Sequence, residues 1–355
     1  MRPGLDNVIA AETVLSHVDG EAGRLIIRGH DLEDLAGHVA YEDATALLWD
    51  GFAPTSMLRA GLGLARVRMF ENFKPLADQA SRLTAVEAMR LLLASLPDGE
   101  HSKEPVDALA AAGVAAAMAA RLTSGHTALA PDPDLSHAAD ILRMLRGASG
   151  DADEVEAFET YLVTVIDHGL NASTFAARVV ASTAAGLPSA VVAALCALKG
   201  PLHGGAPGPV LDMFDAIATP ANADAWIASA LKRGERLMGF GHRVYRVRDP
   251  RASVLKSTVA KLKGRANRIA FAEAVEAAAL RALKDFKSER RLDTNVEFYT
   301  ALLLEALAIP REAFTPVFAL ARTAGWIAHI REQEVGGRLI RPQSRYVGQW
   351  PVKAA

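Results

Sequence analysis

Cysteine, aromatic residues and excess charge are all scarce in this chain of 355 residues. Its single cysteine, Cys196, excludes an internal disulfide framework and a thiolate zinc site, and it favours a reducing, cytoplasmic location. Aromatic residues make up 6% of the chain, and 39 basic side chains nearly balance 41 acidic ones. This near-neutral charge argues against nucleic acid or an anionic membrane as a partner.

No segment predicts a secretory signal or a membrane span. The first residues lack an apolar stretch followed by a small-residue cleavage site. Residues 179–198 carry no charge, but they are rich in alanine and are interrupted at Gly186-Leu187-Pro188. This pattern predicts two buried helices that meet at a turn.

Helical periodicity dominates the remaining sequence. Apolar residues recur at spacings of three and four in residues 106–122, 155–166, 226–238 and 272–283. Alternating strand patterns are scarce, apart from a possible hairpin that pairs residues 14–18 with residues 24–28. The predicted fold class is therefore all-α, with at most a short N-terminal hairpin, and the length is sufficient for two packed domains.

Two glycine-containing segments interrupt the helical pattern and carry a histidine each. His168 precedes Gly169 at a predicted helix end, so it is either a C-terminal capping imidazole or a site residue. His203 lies in residues 199–209, of which seven of eleven are glycine or proline. Such a loop is either a plain turn or a place where a ligand approaches closely and the imidazole donates to a developing oxyanion.

Two further segments carry arginines and a carboxylate. From His242 to Arg251 the chain has four arginines in ten residues, a pattern that suits several anionic oxygens, although a solvated basic loop or a nucleic-acid patch remains an alternative. Asn295 can cap a helix that places Glu297 in its first turn. Glu297 either complements the helix dipole or acts as a base, because the dipole keeps it ionised while a dry cleft raises its basicity.

In this order, the four segments resemble the citrate synthase family. Residues 239–251 match the family signature closely, residues 26–32 are similar to its early YRGYDI segment, and residues 318–329 and 340–342 extend the similarity to nearly the whole chain. The resemblance implies a citrate synthase-like helical homodimer. It also implies a large domain formed by residues 1–205 and 311–355 and a small domain, residues 206–310, that closes over a cleft.

The resemblance assigns roles to eight residues and implies oxaloacetate and acetyl-CoA as substrates, with no metal and no tightly bound cofactor. The three catalytic residues are His203 at the thioester carbonyl, His242 at the oxaloacetate ketone and Glu297 as the base. The resemblance implies four residues that bind oxaloacetate: His168, Arg251, Arg322 and Arg341. Of these, Arg341 would reach into the neighbouring subunit's site. Arg246 corresponds to a basic position that contacts coenzyme A.

Several alternatives stay open at this level. The family usually has aspartate where this chain has Glu297, which makes Asp293 a rival base, and Gly169 stands where many relatives have an acid. A pocket discriminates one methylene by only about 1–3 kcal/mol, so 2-methylcitrate synthesis from propionyl-CoA is an alternative activity. A non-catalytic, metabolite-binding homologue is another. His329 lies either near the site or simply in the core.

Overall fold

The computed structural model describes residues 8–98, 105–204, 207–242, 244–262, 268–286 and 292–350. Within these ranges the chain forms sixteen α-helices and one small sheet, so the all-α prediction is confirmed. The helices are α1 (Leu32–Leu35), α2 (Tyr41–Trp49), α3 (Leu58–Phe73), α4 (Ala77–Ala80), α5 (Ala85–Ala94), α6 (Pro105–Thr123), α7 (His137–Arg146), α8 (Ala152–Thr164), α9 (Ala172–Ala181), α10 (Leu187–Leu198), α11 (Pro207–Ile217), α12 (Ala223–Lys232), α13 (Pro250–Lys261), α14 (Ile269–Phe286), α15 (Val296–Ala306) and α16 (Phe314–Gly336).

The predicted hairpin is present and is extended by a short third strand. Strands β1 (Ser16–Asp19), β2 (Arg24–Ile27) and β3 (His30–Asp31) form an antiparallel sheet in the order β1-β2-β3. The Asp19 carboxylate accepts the backbone N–H groups of Glu21 and Ala22 and so closes the turn between the first two strands. The tip of this hairpin contacts the loop that follows His242, through a hydrogen bond of 2.8 Å from the backbone N–H of Arg246 to the carbonyl oxygen of Gly20.

The core surrounds α6, an alanine-rich helix that contacts α3, α5, α7 and α16. Among the described residues, α6 is the one helix long and apolar enough to cross a membrane, but it is largely buried inside the protein. Its alanine side chains allow the neighbouring helices to approach closely, and most are fully buried. Residues 179–198 form two helices, α9 and α10, separated by a turn at Gly186 with φ of +102°, as predicted.

The helix predicted from the spacing of residues 226–238 is wrong in its second half. Helix α12 ends at Lys232, and Gly234, with φ of +77°, reverses the chain. Leu237 is buried, but it is buried from a loop that leads to Gly239. Helical spacing of apolar residues therefore continued past the end of the helix because the following loop also packs on the core.

Helices α11 to α15 contact one another and lie within the predicted small domain, residues 206–310. They meet the rest of the chain where α13 contacts α8 and α1, and where α11 contacts α16. The division into residues 1–205 with 311–355 and residues 206–310 stays a prediction. What the contacts show is that α13 lies against α1 and α8, and that the loop before α13 lies against the tip of the N-terminal hairpin.

Candidate active site

The histidines, arginines and carboxylate singled out from the sequence lie at helix ends and in the loops between helices. His168 follows α8, His203 follows α10, His242 precedes α13, and Glu297 lies in the first turn of α15. Arg322 lies in the middle of α16. Long-range packing of these helices brings residues more than a hundred positions apart into contact.

His168 lies at the centre of this arrangement. Its ring meets the ring of His242 edge to face at 5.3 Å, and its Nε2 atom is 3.3 Å from the hydroxyl oxygen of Tyr245. Burial lowers the pKa of His168 well below its usual value, and the positive charge of Arg251 adds to the effect. His168 is therefore a neutral imidazole packed among site residues, which favours the binding role over that of a helix cap.

The tautomer of His242 follows from its backbone contacts. Its Nδ1 atom accepts hydrogen bonds of 3.1 Å from the backbone N–H groups of Val244 and Tyr245. Burial, assisted by Arg251, lowers the pKa of His242 to about 4, so the ring is neutral at pH 7. A neutral ring whose Nδ1 accepts carries its hydrogen on Nε2. His242 therefore presents a hydrogen-bond donor.

Arg251 directs a second donor at the same place. The guanidinium is 3% exposed, and its Nη2 atom lies 3.5 Å from the Nε2 atom of His242. Neither nitrogen can accept from the other, because both carry hydrogen. Two donors that converge in this way suit an acceptor oxygen between them, such as a ketone or carboxylate oxygen of a substrate.

Asp249 holds Arg251 and the start of α15 together. Its carboxylate accepts from the Nε and Nη2 atoms of Arg251 at 3.0 and 2.8 Å, and from the backbone N–H of Val296 at 3.2 Å. Although burial opposes it, this carboxylate raises the pKa of Arg251. Sequence analysis missed Asp249, although an aspartate directly before a proline and a helical run is a recognisable N-cap signal.

Glu297 occupies the predicted position in the first turn of α15. Asn295 caps this helix by accepting the backbone N–H of Glu297 at 3.0 Å. Burial raises the pKa of Glu297 to about 7; Arg251 and Arg236 oppose the rise, and Asp249 reinforces it. A carboxyl group with a pKa near the working pH is suited to general base catalysis.

Backbone pairing holds the loop of His242 and the start of α15 as one unit. The backbone N–H of Gly241 donates to the carbonyl oxygen of Asp293 at 2.7 Å, and that of Asn295 donates to Gly239 at 2.9 Å. Gly239 has φ of +84°, and an added Cβ there would lie 2.9 Å from Phe298. Only glycine fits this combination of backbone angle and close packing. Asp293, the rival base, lies in this paired segment.

His203 has a fixed tautomer at the start of α9. Its Nε2 atom accepts the backbone N–H of Ser173 at 3.2 Å and lies 2.9 Å from the hydroxyl oxygen of that residue. Burial, with a contribution from Arg322, lowers the pKa of His203 to about 4. The neutral ring therefore carries its hydrogen on Nδ1 and can donate from that side. The sequence pattern did not indicate a role for Ser173.

The arginines divide into buried and exposed groups. Arg322 is buried and donates from Nε to the carbonyl oxygen of Val165 at 2.6 Å, and although burial lowers its pKa to about 10 it is charged at pH 7. Arg341 is exposed in the irregular segment after α16, and no contact among the described residues joins it to the other site residues. Arg246 is also exposed, with its Nε atom 3.9 Å from the Glu21 carboxylate. The roles of Arg341 and Arg246 stay predictions.

Gly169, one of the two departures from the family pattern, has a backbone reason. Its φ is +59°, and its N–H donates to the hydroxyl oxygen of Ser16 at 3.0 Å. A residue with a side chain would be strained in this conformation. On the other side of His168 lies a carboxylate, that of Asp167, which is buried.

Comparison with known proteins shows that the chain is similar to citrate synthases over nearly its whole length. The family model described as citrate synthase, C-terminal domain, matches residues 4–343. The citrate synthase of Haloferax volcanii is 38% identical over 369 aligned residues, which cover 98% of this chain and 96% of that protein. The solved citrate synthase of Thermotoga maritima superposes with a TM-score of 0.87 at 31% identity, covering 100% of this chain and 98% of the other.

A second solved structure carries ligands. The citrate synthase of Thermoplasma acidophilum, in a ternary complex with carboxymethyl coenzyme A and oxaloacetate, superposes with a TM-score of 0.88 at 29% identity. The alignment covers 99% of this chain and 97% of that one. The similarity therefore extends over both the first and the second half of the chain, including every segment that contributes a site residue.

Proposed function

Because the chain belongs to the citrate synthase family and is thus an acyltransferase that converts the acyl group to an alkyl group on transfer, we propose that it condenses acetyl-CoA with oxaloacetate and water to give citrate and free coenzyme A. One observation carries the choice of this reaction. His242, with its hydrogen on Nε2, and Glu297, with a pKa of about 7, both interact with the buried Arg251, while His203, with its hydrogen on Nδ1, interacts with the buried Arg322.

The first step is proton transfer from the acetyl methyl group. Glu297 takes the proton, the electron pair of the C–H bond forms the carbon–carbon double bond, and the carbonyl π pair moves to the thioester oxygen, where a hydrogen bond from Nδ1 of His203 stabilises the negative charge of the enolate. His203 is a neutral donor, because burial and the positive charge of Arg322 disfavour its protonation.

The second step forms the carbon–carbon bond. The enolate carbon attacks the oxaloacetate ketone and the thioester carbonyl re-forms; the alkoxide left on the former ketone oxygen accepts a hydrogen bond from Nε2 of His242 and takes up one proton, equal to the one that Glu297 removed, to become the tertiary hydroxyl group. Water then cleaves the thioester and releases coenzyme A. Arg251 and Arg322 neutralise the two carboxylates of oxaloacetate, with His168 between them, and no metal or redox cofactor takes part.

A homodimer is part of this proposal, since Arg341 would complete the site of the neighbouring subunit. The segment after α16 supports the idea: it forms no helix or strand in its described residues and exposes apolar side chains, with Val347 81% and Trp350 77% exposed. A second copy of the chain would cover such residues. We also propose a cytoplasmic location, consistent with a lone cysteine.

The test is release of coenzyme A by the purified full-length protein. We expect release that requires both acetyl-CoA and oxaloacetate, measured with a thiol reagent, and a loss of about a thousandfold in kcat for Glu297→Gln. Asp293→Asn is the matched control and is expected to remain active. No release by a folded dimer would favour the non-catalytic binder, and loss confined to Asp293→Asn would make Asp293 the base.

The same assay decides between the two acyl donors. We expect kcat/KM to be higher for acetyl-CoA than for propionyl-CoA. A preference of roughly tenfold or more for propionyl-CoA would instead make the protein a 2-methylcitrate synthase.

A further inference from the structure

One face of α16 runs along the segment that carries His168. Arg322 donates to the carbonyl oxygen of Val165, and Gly325, one turn later, packs so closely that an added Cβ would lie 2.4 Å from the carbonyl oxygen of Ile166. His329, a further turn along, lies with its Nε2 atom 3.3 Å from the carboxylate of Asp167. This spacing places all three residues on one side of the helix.

His329 is fully buried between a carboxylate and a guanidinium. Its Nδ1 atom lies 3.1 Å from Nη1 of Arg178, and the same Nη1 donates to Glu332 at 2.5 Å. Arginine has donors only, so the Nδ1 atom of His329 must accept. The hydrogen of the neutral ring is then on Nε2 and is donated to Asp167.

Asp167 is the residue directly before His168. Its carboxylate also accepts the hydroxyl group of Ser16, which in turn accepts the backbone N–H of Gly169. Although burial alone would raise it, the hydrogen bonds from His329 and Ser16 and the positive charge of Arg322 hold the pKa of Asp167 below its ordinary value. An ionised, anchored carboxylate on one side of His168 and an anchored amide on the other fix the peptide that carries this imidazole.

Arg178 continues the contacts toward the C-terminal segment. Its Nε atom donates to the side chain of Gln333 at 3.1 Å, and the amide nitrogen of Gln333 donates to the carbonyl oxygen of Arg338 at 3.1 Å. Two residues later the backbone N–H of Ile340 donates to the hydroxyl oxygen of Ser182 at 3.0 Å. Arg178, which contacts His329, therefore also holds the start of the segment that carries Arg341, through Gln333.

We propose that His329, held as the Nε2–H tautomer between Arg178 and Asp167, is a positioning residue of the condensation site: it fixes the peptide of His168 and the base of the segment that carries Arg341. This inference rests on the proposed function, because both residues are assigned there to oxaloacetate. His329 itself touches no reacting atom. Its loss should therefore affect oxaloacetate rather than the chemical step.

Three substitutions at this position separate the contacts. His329→Leu removes both, and we expect the KM for oxaloacetate to rise about tenfold while the KM for acetyl-CoA changes less than about twofold. The amide of glutamine reaches about as far as Nε2, so His329→Gln should restore the donor to Asp167 and bring the KM within about threefold of the original. The shorter His329→Asn should not. His38→Gln, on an exposed residue, is the matched control.

A measurement without turnover keeps the inference separate from the proposed function. In the full-length protein with ¹⁵N-labelled histidine at pH 7.5, the resonances lost in His329→Gln should report a neutral ring with hydrogen on Nε2. An Nδ1–H tautomer or an imidazolium would overturn the proposal, as would an unchanged KM for oxaloacetate in a folded His329→Leu protein. If the original chain releases no coenzyme A at all, the proposed function fails, and the tautomer is still decided by the spectrum.

Discussion

Two buried arginine–aspartate pairs lie in different parts of this molecule, and their arginines differ in the groups that the remaining N–H donors face. In the core, Arg66 of α3 pairs with Asp140 of α7 at 2.7 Å and donates further to the backbone carbonyls of Asp132 and Leu135. At the site, Arg251 pairs with Asp249 at 2.8 Å, but its Nη2 atom faces the donor nitrogen of His242.

The difference shows how a functional arginine can be told from a structural one. Both guanidinium groups are buried, so burial and pairing alone do not distinguish them. In the core pair, the Nε and Nη2 atoms of Arg66 donate only to protein acceptors, and its Nη1 atom, although it has no acceptor among the described residues, faces no second donor group that an acceptor oxygen would bridge. In the site pair, an N–H of Arg251 points instead at the Nε2–H of His242. Two donors that face each other are favourable when a ligand oxygen lies between them and accepts from both.

We expect the largest effect from breaking the Arg66–Asp140 pair, and we expect it on the free energy of unfolding. Arg66→Met leaves Asp140 buried with a weakened set of partners, so we expect the free energy of unfolding to fall by about 4 kcal/mol. Denaturant titration of the purified protein measures this loss. The fraction that remains folded should keep its KM for oxaloacetate; a large rise in KM without a loss of stability would remove the distinction between the two pairs.

Breaking the site pair should act mainly on substrate binding. In Arg251→Met, Asp249 still accepts the backbone N–H groups of residues 251 and 296, so the loss of stability should be smaller than for Arg66→Met. We expect kcat/KM for oxaloacetate to fall about a hundredfold, or about 3 kcal/mol. Arg82→Met, at an exposed position, serves as the control. An equal loss of stability in the Arg66 and Arg251 variants would contradict the comparison.

Glu297, beside the site pair, should lower stability at high pH. Burial raises its pKa to about 7 from the ordinary value of 4.5, so the folded state binds more protons than the unfolded state between these values. Stability from this group is present at pH 4.5 and is lost as the pH rises through 7. Glu297→Gln should therefore be more stable than the original at pH 8, by about 2 kcal/mol, and nearly equal at pH 4.5. A stability difference that does not change with pH would argue against the raised pKa.

The smallest effect is expected at Ser173, which positions His203 without belonging to either pair. Ser173→Ala keeps the backbone N–H bond to His203 and loses the hydroxyl contacts to His203, Trp326 and Asn171. We expect kcat to fall about tenfold, near 1.4 kcal/mol, with the KM for oxaloacetate nearly unchanged. Ser95→Ala, outside the site, is the control. A change confined to the KM for oxaloacetate would place the role of Ser173 elsewhere.

Local patterns in the sequence predicted the all-α fold, the early hairpin and the cap at Asn295, because each depends on residues that are neighbours along the chain. The helix predicted over residues 226–238 ended early, at Lys232, since apolar spacing reports burial whether or not the backbone is helical. Asp249 and Ser173 were missed as functional residues, because their contacts to Val296 and His203 join distant parts of the chain.

What the sequence determined by itself is the set of chemical groups: the histidines, arginines and carboxylate, and the glycines that permit their loops. Only the tertiary structure decided which nitrogen of each imidazole carries hydrogen, that Glu297 titrates near neutrality, and that His329 is locked between Asp167 and Arg178. The reason is physical. Desolvation and hydrogen-bond direction depend on distances in space, and for these groups the neighbours that matter come from helices far apart in the chain.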